Sequence, residues 1–212
     1  SNWPVAKEMQ MEIVAEIGMN HEGNFDLAYE LIRQAKLSGA DVAKFQFGWR
    51  DQPGEINQID AERAIQLRSW CDYLGIEMHA SVINDGGLDL VQEAKLTRMK
   101  VASRTVIDRP DLAEQVIALG KETFVSLGMW EGEDWPFGPP SDKLHYIWCR
   151  SKYPTYPQDM VNVPGQYSAD AYYGYSDHCH GISACMLAIS RGAQYVEKHF
   201  TLNKSSQVIR DH

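Results

Sequence analysis

The sequence predicts an α/β fold: a minimal (β/α)8 TIM-type barrel with several outer helices shortened or missing. Two observations predict it. The apolar pattern switches repeatedly between short strand-like runs and stretches with helical spacing, and such alternation sets strands parallel with helices outside them. The strand-like runs number eight, the count of such a barrel. A doubly wound open sheet is the alternative.

The first strand is EIVAEIG (12–18), apolar nearly throughout, like a strand buried on both faces. Phe25, Leu27, Ala28, Leu31, Ile32, Ala35 and Leu37 then recur at helical spacing, with Asn24 as N-cap and Gly39 as stop. DVAKFQF (41–47) returns to strand and DAERAIQLRSWCDYLG (60–75) to helix. Strand IEMHASV (76–82), helix GGLDLVQEAKLT (86–97), strand RMKVAS (98–103), helix RPDLAEQVIALGK (109–121) and strand ETFVSLGM (122–129) continue the pattern. LHYIWC (144–149), AYYGYS (171–176) and QYVEKHF (194–200) are the last strands, and ISACMLAISRGA (182–193) is the helix between the final two. Two connections are poor helices: WEGEDWPFGPPSDK (130–143), with three prolines and two glycines, and TYPQDMVNVPGQYSAD (155–170). About five full helices remain. No repeat, low-complexity tract or linker divides the chain, so residues 1–212 read as one domain.

A formal net charge of −9 over 212 residues argues against a general nucleic-acid-binding role. Four cysteines without a CxxC pair argue against a disulfide framework or structural zinc finger. No apolar run approaches the ~18 residues of a membrane helix, and SNWPVAKEMQM lacks a signal-peptide core. A cytoplasmic protein is expected, and a homo-oligomer, since missing helices leave apolar surface uncovered.

Functional groups of a βα barrel gather at the C-terminal ends of its strands. Those ends carry Glu16; Lys44 and Gln46; Ser81; Lys100 and Ser103; Ser126; Ser151 and Tyr153; Ser176, Asp177 and His178; and Glu197, Lys198 and His199. Lysines in apolar strands need an anionic partner. Lys44 and Lys100 with Ser103, Ser126 and Ser176 therefore resemble a cradle for phosphate or carboxylate. Glu16 is either a structural partner of one lysine or a group with a role of its own. His178 and His199 lie 21 residues apart, one βα unit, and two converging imidazoles suit a divalent metal such as Mn, Zn or Fe. Hydrogen-bonded core histidines are the plain alternative. One of Cys179 and His180 is expected to face away, and Cys185 to pack. GMNHEG lacks the Lys and Ser/Thr of a P-loop, and GYSDH lacks the second glycine of a nucleophile elbow.

Together AEIGMNHEGNFDLAYELIRQAKLSGADVAKFQ, KVAS, VSLGM, SKYPTYP, GYSDHCHGI and EKHFTL resemble, in order, the signatures of the sialic acid synthase (N-acetylneuraminate synthase) family. The resemblance implies a barrel that condenses phosphoenolpyruvate with an open-chain N-acetylated hexosamine of N-acetylmannosamine type, giving a nine-carbon 2-keto acid and phosphate. It implies proton handling by Glu16, and phosphoenolpyruvate binding by Lys44, Ser81, Lys100, Ser103, Ser126 and Ser176. Substrate contacts fall to Ser151, Tyr153 and Asp211, with Gln46 beside them. His178 and His199 become ligands of a divalent metal, Mn first, with Mg, Co, Zn or Fe as alternatives. Thr105 stands where a glutamate is expected, Ile209 and Arg210 replace a glycine and proline, and the barrel is expected without the family's antifreeze-like C-terminal domain. Other metal-dependent chemistry on a small phosphorylated or carboxylated substrate, or a non-catalytic binding remnant, are the alternative functions.

Overall fold

In the computed structural model, which describes residues 11–204, eight parallel strands follow one another around a closed ring and β1 pairs with β8. The strands are β1 (Glu12–Gly18), β2 (Val42–Phe47), β3 (Glu77–Val82), β4 (Arg98–Val101), β5 (Glu122–Ser126), β6 (Leu144–Cys149), β7 (Tyr172–Asp177) and β8 (Tyr195–His199). The helices are α1 (Phe25–Leu37), α2 (Ala61–Leu74), α3 (Asp85–Glu93), α4 (Ser103–Asp108), α5 (Pro110–Ala118) and α6 (Ser183–Ser190). The fold is the expected TIM-type barrel.

Local chemistry sets the element ends. Asn24 caps α1 by accepting from the Asp26 and Leu27 amides, as its position suggests. The strand expected over 98–103 stops at Val101, and Ser103 opens α4 instead of ending β4. The helix expected from Arg109 begins one residue later. Pro110 keeps its predecessor out of the helical region, so Arg109 sits at φ −140°, ψ 59° between α4 and α5. Among the described residues no helix is long and apolar enough to cross a membrane.

The two poorly helical connections cover the barrel by other means. Trp135 stacks on Tyr146 with ring centroids 4.5 Å apart. Tyr146 in turn donates to the Gly138 carbonyl at 2.8 Å and accepts from the Phe137 amide at 3.2 Å. Aromatic rings thus shield β6, where prolines and glycines forbid a helix. After β6 comes a short 3-10 turn (Pro157–Asp159), and Tyr167 packs with Tyr175, Cys185 and Ala188. This cover weakens the argument for self-association from bare strands; the exposed apolar side chains of this region include Tyr153, Tyr156 and Val161 after β6, Ile182 before α6, and Met186 and Leu187 on it.

Period-two alternation stacks the interior in levels. At the N-terminal end Arg98 meets Glu12 at 2.7 Å, Glu77 at 2.8 Å and Glu122 at 2.9 Å. The middle is mostly apolar, built from Val14, Val42, Phe124, Ile147 and Tyr195, with His79 buried against Phe124 and Tyr195. The upper level holds the charged strand ends. Polar groups thus occupy both ends of the barrel, and the lower set is structural.

Gly174 lets the ring close. It pairs with Tyr195, and a Cβ added to it would lie 2.1 Å from the Tyr195 carbonyl oxygen. Backbone cannot yield as a side-chain tip does, so Gly174→Ala is expected to cost about 1–3 kcal/mol, measured by urea unfolding; an unchanged midpoint would show that β7 and β8 separate freely.

Candidate active site

The C-terminal strand ends surround a cavity of about 950 Å³. Glu16 at the end of β1 lies opposite Lys44 of β2 in register, and the two form a buried ion pair. Gln46, two residues further along β2, donates to Glu16 Oε1 at 2.9 Å. Lys44 also donates to Ser81 of β3 at 3.0 Å and lies 3.5 Å from Glu197. Lys100 of β4 pairs with the other Glu197 oxygen at 2.7 Å. Ser176 and Tyr195 donate to the same carboxylate at 3.0 and 3.2 Å. Burial would raise the Glu197 carboxyl, but Lys100 and Lys44 outweigh it and hold the group well below the carboxylate range.

Lys44 and Lys100 have carboxylate partners of their own, whether or not an outside anion binds. Each already faces a carboxylate, and two lysines against Glu16 and Glu197 leave the floor without net charge. Glu16 is accordingly a lysine partner, and it also lines the cavity, within reach of a ligand there. Donors remain for a ligand. Ser126 Oγ is buried with no hydrogen-bond partner, and Ser103 at the start of α4 accepts from the Gly128 amide at 2.9 Å. Ser151 lines the same cavity beyond Cys149.

His178 and His199 stand at the rim with ring centroids 5.3 Å apart. His178 Nδ1 lies 2.9 Å from the Arg150 carbonyl, which can only accept, so Nδ1 carries the proton. Its Nε2 is left with the lone pair and takes the Tyr153 hydroxyl at 2.9 Å. Burial, then the neighbouring His199, pushes the His178 imidazole down to about 4. A neutral ring with a lone pair at Nε2 is the ligating form, and a metal there would displace the Tyr153 hydroxyl. The donor set therefore fits a divalent metal bound by two imidazoles. Among the described residues no group of three or more His, Cys, Asp or Glu is placed to hold an ion, so the remaining positions would fall to water or substrate. His180 is exposed, and Cys179 lies 3.9 Å from the Tyr175 hydroxyl; neither joins the pair.

The cavity therefore brings together Glu16, Lys44, Gln46, Ser81, Lys100, Ser103, Ser126, Ser151, Tyr153, Ser176, His178 and His199. Asp211 lies outside the described residues. Thr105, buried on α4, lines the same cavity. Glu197 went unassigned in the sequence, yet alternation finds it: Tyr195, Glu197 and His199 share one face of β8.

His21, just past β1, does structural work beside the site. Its Nδ1 accepts from the Gly23 amide at 3.1 Å, and Nε2 donates to Asn57 Oδ1 at 3.1 Å. Asn57 donates onward to the Gln46 and Trp49 carbonyls, both at 2.8 Å. Burial pushes His21 down to about 4 despite the Asn57 bond. The unfolded chain takes up this proton first. Stability is therefore full above the ordinary value of 6.5 and falls as the pH drops from there toward 4, by about 3 kcal/mol. Urea titrations across that range should show the loss, and His21→Asn should reduce it by about that share, leaving the part due to His178, which burial also holds at about 4; an equal slope in the variant would place the proton uptake elsewhere.

A profile of the NeuB family matches residues 54–212. N,N'-diacetyllegionaminic acid synthase of Legionella pneumophila is 30% identical, over 95% of this chain and 67% of its own length. N-acetylneuraminate-9-phosphate synthase of Mus musculus is 29% identical, over 91% of this chain and 62% of its own. The chain spans 61–68% of the length of the curated relatives it matches. Among solved structures, a sialic acid synthetase from Leptospira borgpetersenii in complex with citrate superposes with TM-score 0.80 at 22% identity, over 95% of this chain and 76% of that one. That likeness bears on the fold. The spore coat polysaccharide biosynthesis protein SpsE of Bacillus subtilis superposes with TM-score 0.70 at 26% identity, over 95% and 62%.

Proposed function

Because the chain belongs to the NeuB family, we propose that it is a phosphoenolpyruvate-dependent sugar-acid synthase. Carbon three of phosphoenolpyruvate joins the aldehyde carbon of an open-chain N-acetylated hexosamine, of N-acetylmannosamine type, water adds at carbon two, and the bond to the phosphate group breaks to leave the keto group. The products are a nine-carbon 2-keto acid and phosphate. The named activities of the Legionella and mouse relatives agree with this class of reaction.

One observation carries the reading: a charge-compensated lysine floor beside two imidazoles poised as ligands, in one cavity. Phosphoenolpyruvate brings a phosphate of charge near −2 and a carboxylate. The floor alone cannot balance these, because Glu16 and Glu197 already cancel Lys44 and Lys100. A divalent ion on His178 and His199, manganese first, supplies the missing positive charge when bound and polarises the acceptor aldehyde as a Lewis acid. The chain's own groups do the rest. An ammonium has three N–H donors, and Lys100 spends one on Glu197, leaving others for the donor's oxygens. Ser126, Ser103 and Ser81 fix the same anion by hydroxyl contacts, and Tyr153 and Ser151 bound the acceptor side. Glu16, held between Lys44 and Gln46, handles the proton at the acceptor oxygen. Cytoplasmic self-associating chains remain part of the proposal.

Thr105 puts a hydroxyl where the family resemblance calls for a carboxylate, so the acceptor panel must be broad. The test is phosphate release from phosphoenolpyruvate, with Mn²⁺ present, across N-acetylhexosamines and other aldoses. Release should depend on at least one aldehyde acceptor; silence with every acceptor ends the synthase reading.

A further inference from the structure

Asp177 and Lys198 each precede one of the two rim histidines, and they stand opposite each other in the β7–β8 register. Their side chains meet on the outer wall of the barrel, with Lys198 Nζ 2.6 Å from Asp177 Oδ2. The Asp177 side chain is fully buried and that of Lys198 is 30% exposed. The carboxylate is saturated: Tyr175 OH and the Cys179 amide donate to Oδ1 at 2.7 and 2.9 Å, and Cys185 Sγ donates to Oδ2 at 3.2 Å. Lys198 has a second acceptor, the Cys179 carbonyl, at 2.7 Å.

These contacts grip the backbone beside His178. Asp177 holds the amide of the His178–Cys179 peptide, while the carbonyl of that same peptide accepts from the Thr155 amide at 3.2 Å. Lys198 fastens the next carbonyl and, through its own backbone, the position of His199. A buried ion pair is a poor device for stability alone, since apolar side chains of like volume hold a fold as well. It is a good device for fixing geometry, because both partners must stay in register to remain solvated by one another.

We propose that the Asp177–Lys198 pair is a positioning strap that sets the spacing of His178 and His199, so that both imidazoles bind one divalent cation. The inference rests on the metal reading given under Proposed function. Neither residue touches the ion; both act through the histidine that follows them.

The test is calorimetric titration of the full chain with Co²⁺, with the absorption of the bound ion followed in parallel. Asp177→Asn and Lys198→Met should each weaken Co²⁺ binding by about 10–100-fold, the usual range for partners that orient metal ligands. Lys198→Arg, which keeps the charge, should bind close to wild type. The double variant Asp177→Asn/Lys198→Met should lose no more than the worse single variant, since the two act as a unit. That double variant also supplies the measurement if Lys198→Met alone fails to fold with its carboxylate stranded. Variants that melt earlier yet bind Co²⁺ as tightly as wild type would show an ordinary strut and overturn the proposal. Wild type that binds neither Co²⁺ nor Mn²⁺ would remove the metal reading itself, and the strap with it.

Discussion

Replacing Lys100 with methionine is expected to destabilise the protein by about 3–5 kcal/mol, the usual cost of stranding one partner of a buried ion pair. Glu197 is 4% exposed, and Lys100 at 2.7 Å is the cation on its Oε2, with the neutral Tyr195 hydroxyl at 3.2 Å beside it. Lys44 cannot replace it, being committed to Glu16 and Ser81 and 3.5 Å from the other oxygen. For a chain of 212 residues the loss corresponds to a fall in Tm of roughly 10 °C. Replacing Glu197 with glutamine as well removes the stranded charge, so Lys100→Met/Glu197→Gln should regain most of that stability. Ligand response separates the two roles of the lysine. Phosphoenolpyruvate at 100 times its Kd should stabilise wild type by about 2.7 kcal/mol and leave the double variant unmoved. A Lys100→Met variant that melts with wild type would mean that water reaches Glu197, and the compensated floor would be lost as an explanation.

The pairing behind this prediction marks where the sequence stops being readable. The barrel was legible because each strand announces itself by period and composition: EIVAEIG and DVAKFQF are continuous apolar runs, and AYELIRQAKL repeats at helical spacing. The polar strand ends were legible for the same reason, since a lysine inside VAKFQF breaks the run. Which groups neutralise one another is a through-space fact. Lys100 and Glu197 are 97 residues apart, on strands that are not neighbours in the ring, and no local pattern links them. Arg98 with Glu12, Glu77 and Glu122 is hidden likewise. The helix start missed at Arg109 is different: the X–Pro rule was available in the sequence and decides it. Trp135 covering Tyr146 lay beyond any periodicity, because rings replace a helix there without a repeating pattern.

Removing both rim imidazoles, His178→Ala with His199→Ala, is expected to have the largest effect on activity. Elemental analysis of wild type should find roughly one divalent transition metal per chain, as one pair of converging imidazoles implies, and the double variant should hold close to none. A Lewis acid at the acceptor is worth several kcal/mol of transition-state charge stabilisation. At 1.36 kcal/mol per decade, phosphate release should fall by about 10³-fold or more. The fold should survive, because both rings are half-buried at the rim while Asp177 and Glu197 beneath them keep their partners. Cys179→Ser and His180→Ala are the matching controls: both residues belong to the DHCH run, yet both should leave metal content unchanged. His180 is exposed, and Cys179 meets the strap through its backbone amide and carbonyl. Full occupancy in the double histidine variant would move the ion elsewhere, and the charge to balance a trianion would then have to come from Arg50, Arg104 and Arg109, which line the same cavity.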